Sequence, residues 1–195
     1  MAPYFKKIIA TDASAEQVAS ASQHEKIEFK VAKAEASGLP AASADLVTVA
    51  QALHWFHIDE FFAEAMRVLK PGGVLAVWCY ERGNVNSSCD EIFEKIFAEV
   101  EPHWPPEREI VDSRYQNITL PVAELPAEAF FMSASWSVGD MLGYIRTWSA
   151  SQRYLVTCGK EATTAWEEPL RQRWGSGART VSWPITLRAG KKPMY

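Results

Sequence analysis

Residues 43–57 read SADLVTVAQALHWFH. The run Leu46–Ala50 is apolar except for Thr48, and it ends in a patch holding Gln51, His54, Trp55, Phe56 and His57. A continuous apolar run of this length predicts a strand covered on both faces, because a half-exposed strand alternates instead. A polar and aromatic cluster at the end of such a strand has two readings. It is either the rim of a ligand crevice, which in open α/β sheets lies beyond the carboxyl ends of the strands, or the edge of a core.

Working outward from this stretch, the flanking sequence predicts a strand–helix alternation. Lys7–Thr11 (KIIAT) reads as a first strand with Asp12 at its end, and Ser14 caps the next helix with Gln17 three residues on. Ile27–Val31 (IEFKV) alternates like a second strand. Asp59–Lys70 reads as a helix, since Phe61, Ala65 and Leu69 recur every four residues, and Pro71, Gly72 and Gly73 stop it. Val74–Trp78 follows as a fourth strand. Four mostly apolar strands separated by helical or loop segments predict an α/β sheet with helices on both faces.

The second half predicts a helical cover over about residues 86–175. Ser88 and Glu91 resemble a capping box ahead of the stripe Ile92, Phe93, Ile96, Phe97 and Val100. The segment EPHWPPEREI breaks that helix. Ser137 caps a helix running to Ser149, and another lies near Glu161–Trp174, with Pro169 either kinking it or sitting in the first turn of a shorter one. A last strand falls within Thr180–Leu187, where Pro184 argues against a central position.

The bulk properties exclude several classes. The chain has 195 residues, enough for one sizeable domain, and its formal net charge of −4 argues against a nucleic-acid footprint. No stretch is long and apolar enough to cross a bilayer, so no membrane partner is expected. Cys79, Cys89 and Cys158 are widely spaced and odd in number, which predicts neither a disulfide framework nor a zinc site and fits a reducing, cytoplasmic setting. His54 and His57 have only Asp59 nearby, so no metal is expected. Eight tryptophans suggest a core rim or a cavity for an organic ligand.

Five stretches, IIATDASAEQV, AKAEASGLPAASADLVTVAQALHWF, AMRVLKPGGVLAVWCY, LGYIRTWSASQRY and VSWPITLRAGKKP, cover most of the chain in order. Together they resemble the class I S-adenosylmethionine-dependent methyltransferases, in the branch of trans-aconitate methyltransferase-like proteins. The resemblance implies a Rossmann-like sheet, S-adenosyl-L-methionine as cofactor, and methyl transfer to a small molecule, with a carboxylate acceptor in the related enzymes. It assigns Asp12 to the ribose hydroxyls, a role a carboxylate suits because it accepts from both. The plainer reading of Asp12 is that it starts the following helix. Ala34 and Glu35 fall where the family contacts adenine, although Lys33 stands where an acid is often found. Gln51 and Ala52 fall near the cofactor, and His54 and Trp55 near its methionine arm or the substrate. A tryptophan face attracts a sulfonium by about 0.5–2 kcal/mol. Arg146 is the guanidinium matched to an acceptor carboxylate, with Arg153 as a second choice and Tyr144, Trp148 and Ser149 on the same segment.

The chain departs from that family in one respect. The family opens with a strand, a glycine-rich turn and a helix, whereas no glycine here precedes Gly38. The reading is therefore of an N-terminally truncated methyltransferase-like domain over 1–195. The absent strand is the central one of the family order 3-2-1-4-5-7-6, which exposes edges on both its neighbours, so either those two strands pair directly, or a second copy fills the gap as a homodimer, or the sheet is rearranged. Two rival readings follow: a catalytically degenerate domain acting through dimerisation or binding, and a hydrolase using a remodelled crevice. No G-x-S-x-G elbow supports the second.

Overall fold

The computed structural model describes residues 1–194. They form the expected mixed α/β fold, with sheet strands flanked by helices. The chain divides into two compact units. One comprises Met1–Val77, Thr119–Ala127 and the C-terminal end from Arg188, and the other comprises Trp78–Ile118 and Glu128–Leu187.

In the first unit, β1 (Ile8–Asp12) and β2 (Ile27–Val31) pair in parallel, with Ile8 opposite Ile27 and Asp12 opposite Val31. Helix α1 (Ala15–Ser20) connects them, and Ser14 caps it by accepting from the Gln17 amide at 3.3 Å. Then come β3 (Ala44–Ala50), α2 (Ile58–Val68) and β4 (Leu69–Tyr80). The parallel pair β1–β2 is a sheet of its own, and the larger sheet has the order β3-β4-β7-β5, with β5 at Ala123–Leu125 and β7 at Arg179–Lys191. Among the described residues, β1 therefore pairs on one side only, and so does β3. Val49 is the first buried residue of the chain, and α1 buries none.

The boundary between α2 and β4 differs from the sequence reading. The helix ends at Val68, and β4 starts at Leu69 and passes through Pro71, Gly72 and Gly73. The cause is pairing that arrives from far along the chain. The Gly72 amide donates to the Lys192 carbonyl at 3.1 Å, and the Lys192 amide donates to the Gly73 carbonyl at 2.8 Å. The Lys192 ammonium also donates to the Met66 and Leu69 carbonyls, satisfying the end of α2 with a positive charge. Gly72 takes φ +75°, which explains why glycine stands there.

The second unit holds α3 (Ser87–Val100), α4 (Arg108–Asp112), β6 (Phe130–Trp136), α5 (Val138–Thr147), α6 (Ser149–Cys158) and α7 (Glu167–Trp174). Its core packs Ile92, Ile96, Leu142, Ile145, Trp174 and Trp183. Asn86, rather than Ser88, caps α3, because its side-chain oxygen reaches the Cys89 amide at 3.0 Å while Ser88 already lies in the first turn. The capping box on α5 pairs Ser137 with Asp140. The helix expected to run to Ser149 ends at Thr147. Trp148 takes an extended conformation, φ −59° and ψ 137°, and a separate α6 begins after it. Pro169 sits in the first turn of the short α7, where its missing amide proton costs nothing.

β7 is longer and more central than Pro184 suggests. It pairs with β6 from Ile185 to Arg179, antiparallel, and Pro184 lies opposite Phe131. The Pro184 carbonyl still accepts from the Glu81 amide at 2.9 Å, so the proline keeps its acceptor in the ladder and forfeits only a donor.

Glu64 fixes α2 to the loop before β3. Its carboxylate accepts from Arg67, from the Ser37 amide at 2.9 Å and from the Ser37 hydroxyl. The Arg67 hydrogen bond, joined by the Ser37 donors, outweighs partial burial and holds the carboxyl at about 2, below its ordinary 4.5. A depressed pKa gives stability above the ordinary value that is lost as pH falls through the depressed one. Glu64→Gln is expected to cost about 1–2 kcal/mol at neutral pH, allowing for solvent around Arg67. Urea titrations of both proteins should show that difference shrinking between pH 4.5 and 2.

Candidate functional site

The site residues named from the sequence fall in two groups. Asp12, Ala34, Glu35, Gln51, Ala52, His54 and Trp55 belong to the first unit, and Arg146 to the second.

In the first unit, the parallel register of β1 and β2 puts Asp12 beside the start of the loop that carries Ala34 and Glu35. The Asp12 carbonyl accepts from the Ala32 amide at 3.0 Å, and this bond binds the loop to the end of β1. One Asp12 carboxylate oxygen accepts from the Ser14 amide at 2.8 Å, so the helix-starting reading is realised. The residue is nonetheless exposed. Lys33–Ala36 closes as a tight turn with the Ala36 amide on the Lys33 carbonyl. Glu35 reaches from this turn to the segment after β3 and accepts from the His57 amide at 2.9 Å. Partial burial pushes the Glu35 carboxyl up, but hydrogen bonds from the amides of His57 and of Glu35 itself, with positive charge at His57 and Lys33, hold it below the usual range.

The end of β3 turns sharply. Gln51 has φ +50°, a left-handed conformation uncommon for a residue with a side chain and enriched where surrounding structure enforces function or a tight turn. A single 3-10 turn, Leu53–Trp55, follows. Leu53 is its anchor, with no exposed surface, while Trp55 remains 55% exposed. His54 and Trp55 lie with ring centroids 4.7 Å apart. Leu53 thus belongs to the core, and Trp55 presents an aromatic surface to solvent.

Arg146 is placed differently. Its guanidinium makes ion pairs with Glu161 at 2.7 Å and Glu167 at 3.0 Å. Both partners lie downstream of the helix break at Trp148, so this bridge holds α5 against the chain leading into α7. Tyr144 sits among Trp136, Trp148 and Trp183, with ring centroids 5.3–5.8 Å away. Burial, with the neighbouring Tyr80, pushes its phenol up to about 12, so it remains a hydrogen-bond donor at neutral pH.

The second unit also contains a cavity of about 840 Å³ that the sequence reading did not identify. Its wall includes Phe97, Trp104 and Trp148. Arg82 lies over the Phe97 ring at 3.0 Å from its centroid, and Arg108 over Trp104 at 4.5 Å. Trp104 and Arg108 are four residues apart in the segment read only as a helix breaker. That spacing was the available signal. Among the described residues, no group of histidine, cysteine and acidic side chains is arranged to hold a metal, and no helix is long and apolar enough to cross a membrane.

The Asp12–Ala32 and Glu35–His57 bonds bring together the loops after β1, β2 and β3, at the strand ends where open α/β sheets bind ligands. Comparison with known proteins gives the class. The methyltransferase domain family matches residues 1–77. A Dictyostelium discoideum protein named as a methyltransferase is 30% identical over 201 residues, covering 98% of this chain and 76% of that protein. The structure of a protein named as a type II methyltransferase from Anaeromyxobacter dehalogenans is 35% identical, with a TM-score of 0.91 over 98% of this chain and 83% of that one. YcgJ of Bacillus subtilis shares the fold at 17% identity and a TM-score of 0.53. The chain belongs to the class I S-adenosylmethionine-dependent methyltransferases.

The Glu35–His57 hydrogen bond joins the loops after β2 and β3. Glu35→Ala is expected to quicken hydrogen exchange at the His57 amide and to lower global stability by about 0.5–1.5 kcal/mol, the net worth of one such bond. Exchange mass spectrometry with a urea titration separates the local effect from the global one.

Proposed function

We propose that this chain binds S-adenosyl-L-methionine at the rim of β1, β2 and β3 and transfers its methyl group to a small molecule. The observation that carries the reading is the three-loop rim, tied by the Asp12–Ala32 and Glu35–His57 hydrogen bonds, in a chain whose likeness to the Anaeromyxobacter structure extends over 98% of its length.

The donor set fits this cofactor. Asp12 offers a carboxylate to the ribose diol, needing only the oxygen not engaged by Ser14. The loop at Ala34 and Glu35 flanks the adenine side, with Glu35 acting chiefly as the latch to His57. Gln51 and Ala52 provide the turn that carries the chain past the cofactor, and the exposed Trp55 supplies a π face to positive charge. His54 stands against Trp55, where an imidazole orients or hydrogen-bonds an acceptor. Bound, the cofactor supplies an electrophilic methyl group, and the protein contributes position and exclusion of water. Asp12→Ala is expected to weaken S-adenosylmethionine binding at least about tenfold, the scale of a lost charged hydrogen-bond acceptor. Calorimetry alongside a thermal-shift assay checks this. Absence of any heat or shift with the unsubstituted protein rejects the reading and favours a degenerate binding domain.

For a carboxylate acceptor, the preference of the trans-aconitate branch, Arg146 is the first candidate partner and Arg153 the second. The Arg146 guanidinium is engaged by Glu161 and Glu167, so its geometry lends the carboxylate reading no support. The buried free thiols Cys79 and Cys89 suit the cytoplasmic setting we propose.

The unpaired edges of β1 and β3 support a second element of the reading. Unpaired strand edges recruit strands, and we propose that a second copy of the chain covers them. Native mass spectrometry should then give twice the 21.8 kDa chain mass, and a spectrum holding only the monomer overturns the dimer.

A further inference from the structure

We infer that the cavity of the second unit is a binding site for an organic cation with an aromatic body, such as an aryl-alkyl amine. The site itself stands on its own geometry.

The charge inventory of the wall comes first. Three arginines line the cavity, and each is spent on a carboxylate that also lines it: Arg82 on Glu94 at 2.9 Å, Arg108 on Asp112 at 2.9 Å, and Arg114 on Glu81 at 2.8 Å. Three further lining carboxylates, Asp90, Glu101 and Glu109, have no arginine of the wall as partner. Asp90 accepts from the Val85 amide at 2.9 Å, which leaves its charge in place. The wall therefore holds six carboxylates against three guanidinium groups, and a net negative wall favours cationic ligands.

The second consideration is the aromatic surface. The cavity's own guanidinium groups already show what its rings accept, since Arg82 and Arg108 lie over Phe97 and Trp104. Trp148 packs edge-on to Phe97, with centroids 6.3 Å apart, and shares the same wall without an arginine over it in either of these stacks. Its centroid also lies 6.0 Å from that of Trp104 and 5.8 Å from that of Tyr144, so Phe97, Trp104 and Trp148 together form the aromatic wall offered to the body of a ligand.

Volume is consistent with the assignment, because about 840 Å³ falls within the range of small-molecule pockets.

Tyramine combines an ammonium group, an aromatic ring and a hydroxyl. Its counterpart 3-(4-hydroxyphenyl)propionate keeps the ring and hydroxyl and reverses the charge. Calorimetry on the full chain is expected to give tyramine an affinity at least about tenfold above that of the propionate. The paired substitution Glu101→Gln and Glu109→Gln, at two exposed positions, is expected to weaken tyramine about fivefold with an unchanged thermal midpoint. No tyramine binding, an equal or tighter propionate, or unchanged affinity in the doubly substituted protein overturns the assignment. S-adenosylmethionine titrated separately distinguishes the two readings. Tyramine binding without cofactor binding leaves the cavity standing and the methyl-transfer reading rejected.

Discussion

The larger sheet depends on the backbone pairing made by β7. This one strand, Arg179–Lys191, neighbours β4 along one edge, and on the other it pairs with β6 through its first half and with β5 through its last residues. Its ladder survives an internal proline because Pro184 keeps its carbonyl in the pairing. Its end also reaches beyond the sheet, as Lys192 closes the hydrogen bonds of α2 and fixes where β4 begins. Contacts between residues more than a hundred positions apart thus decide a boundary that the local sequence Lys70–Gly73 marks as a stop.

That long-range dependence explains what the sequence reveals and what it conceals. The strands β1, β2 and β3 and the helix α2 are legible because each has its own apolar pattern and, for α1, its own cap. β6 is not legible. Phe130, Phe131 and Met132 remain substantially exposed, so the segment has no buried face to impose an alternation. The break between α5 and α6 is hidden for a different reason. Neither glycine nor proline marks it, and the turn is made by the backbone of Trp148 alone.

The candidate site divides along the same line. Asp12, Glu35 and the Gln51–Trp55 turn are strand-end features, and strand ends are readable from the sequence. Their partners are not. Nothing in the local sequence says that Glu35 will reach the amide of His57, 22 residues away, or that Arg146 will be held by two glutamates. The cavity of the second unit is the extreme case. It is assembled from the loop after β4, from Pro184 in the middle of β7, from α3 and α4, and from α5 with Trp148, segments whose individual patterns speak only of packing.

The scarcity of buried side chains before Val49 bears on how the chain opens. A two-stranded parallel pair with a short, unburied helix gains little from hydrophobic burial, and such segments open at far lower free energy than a packed core. The N-terminal portion is then the part a protease reaches first, through openings that leave the core of the second unit, built on Trp174 and Trp183, intact. Any ligand gripped by Asp12 closes that route, so resistance to digestion becomes a measure of occupancy at the rim, read from the band that survives rather than from any product formed.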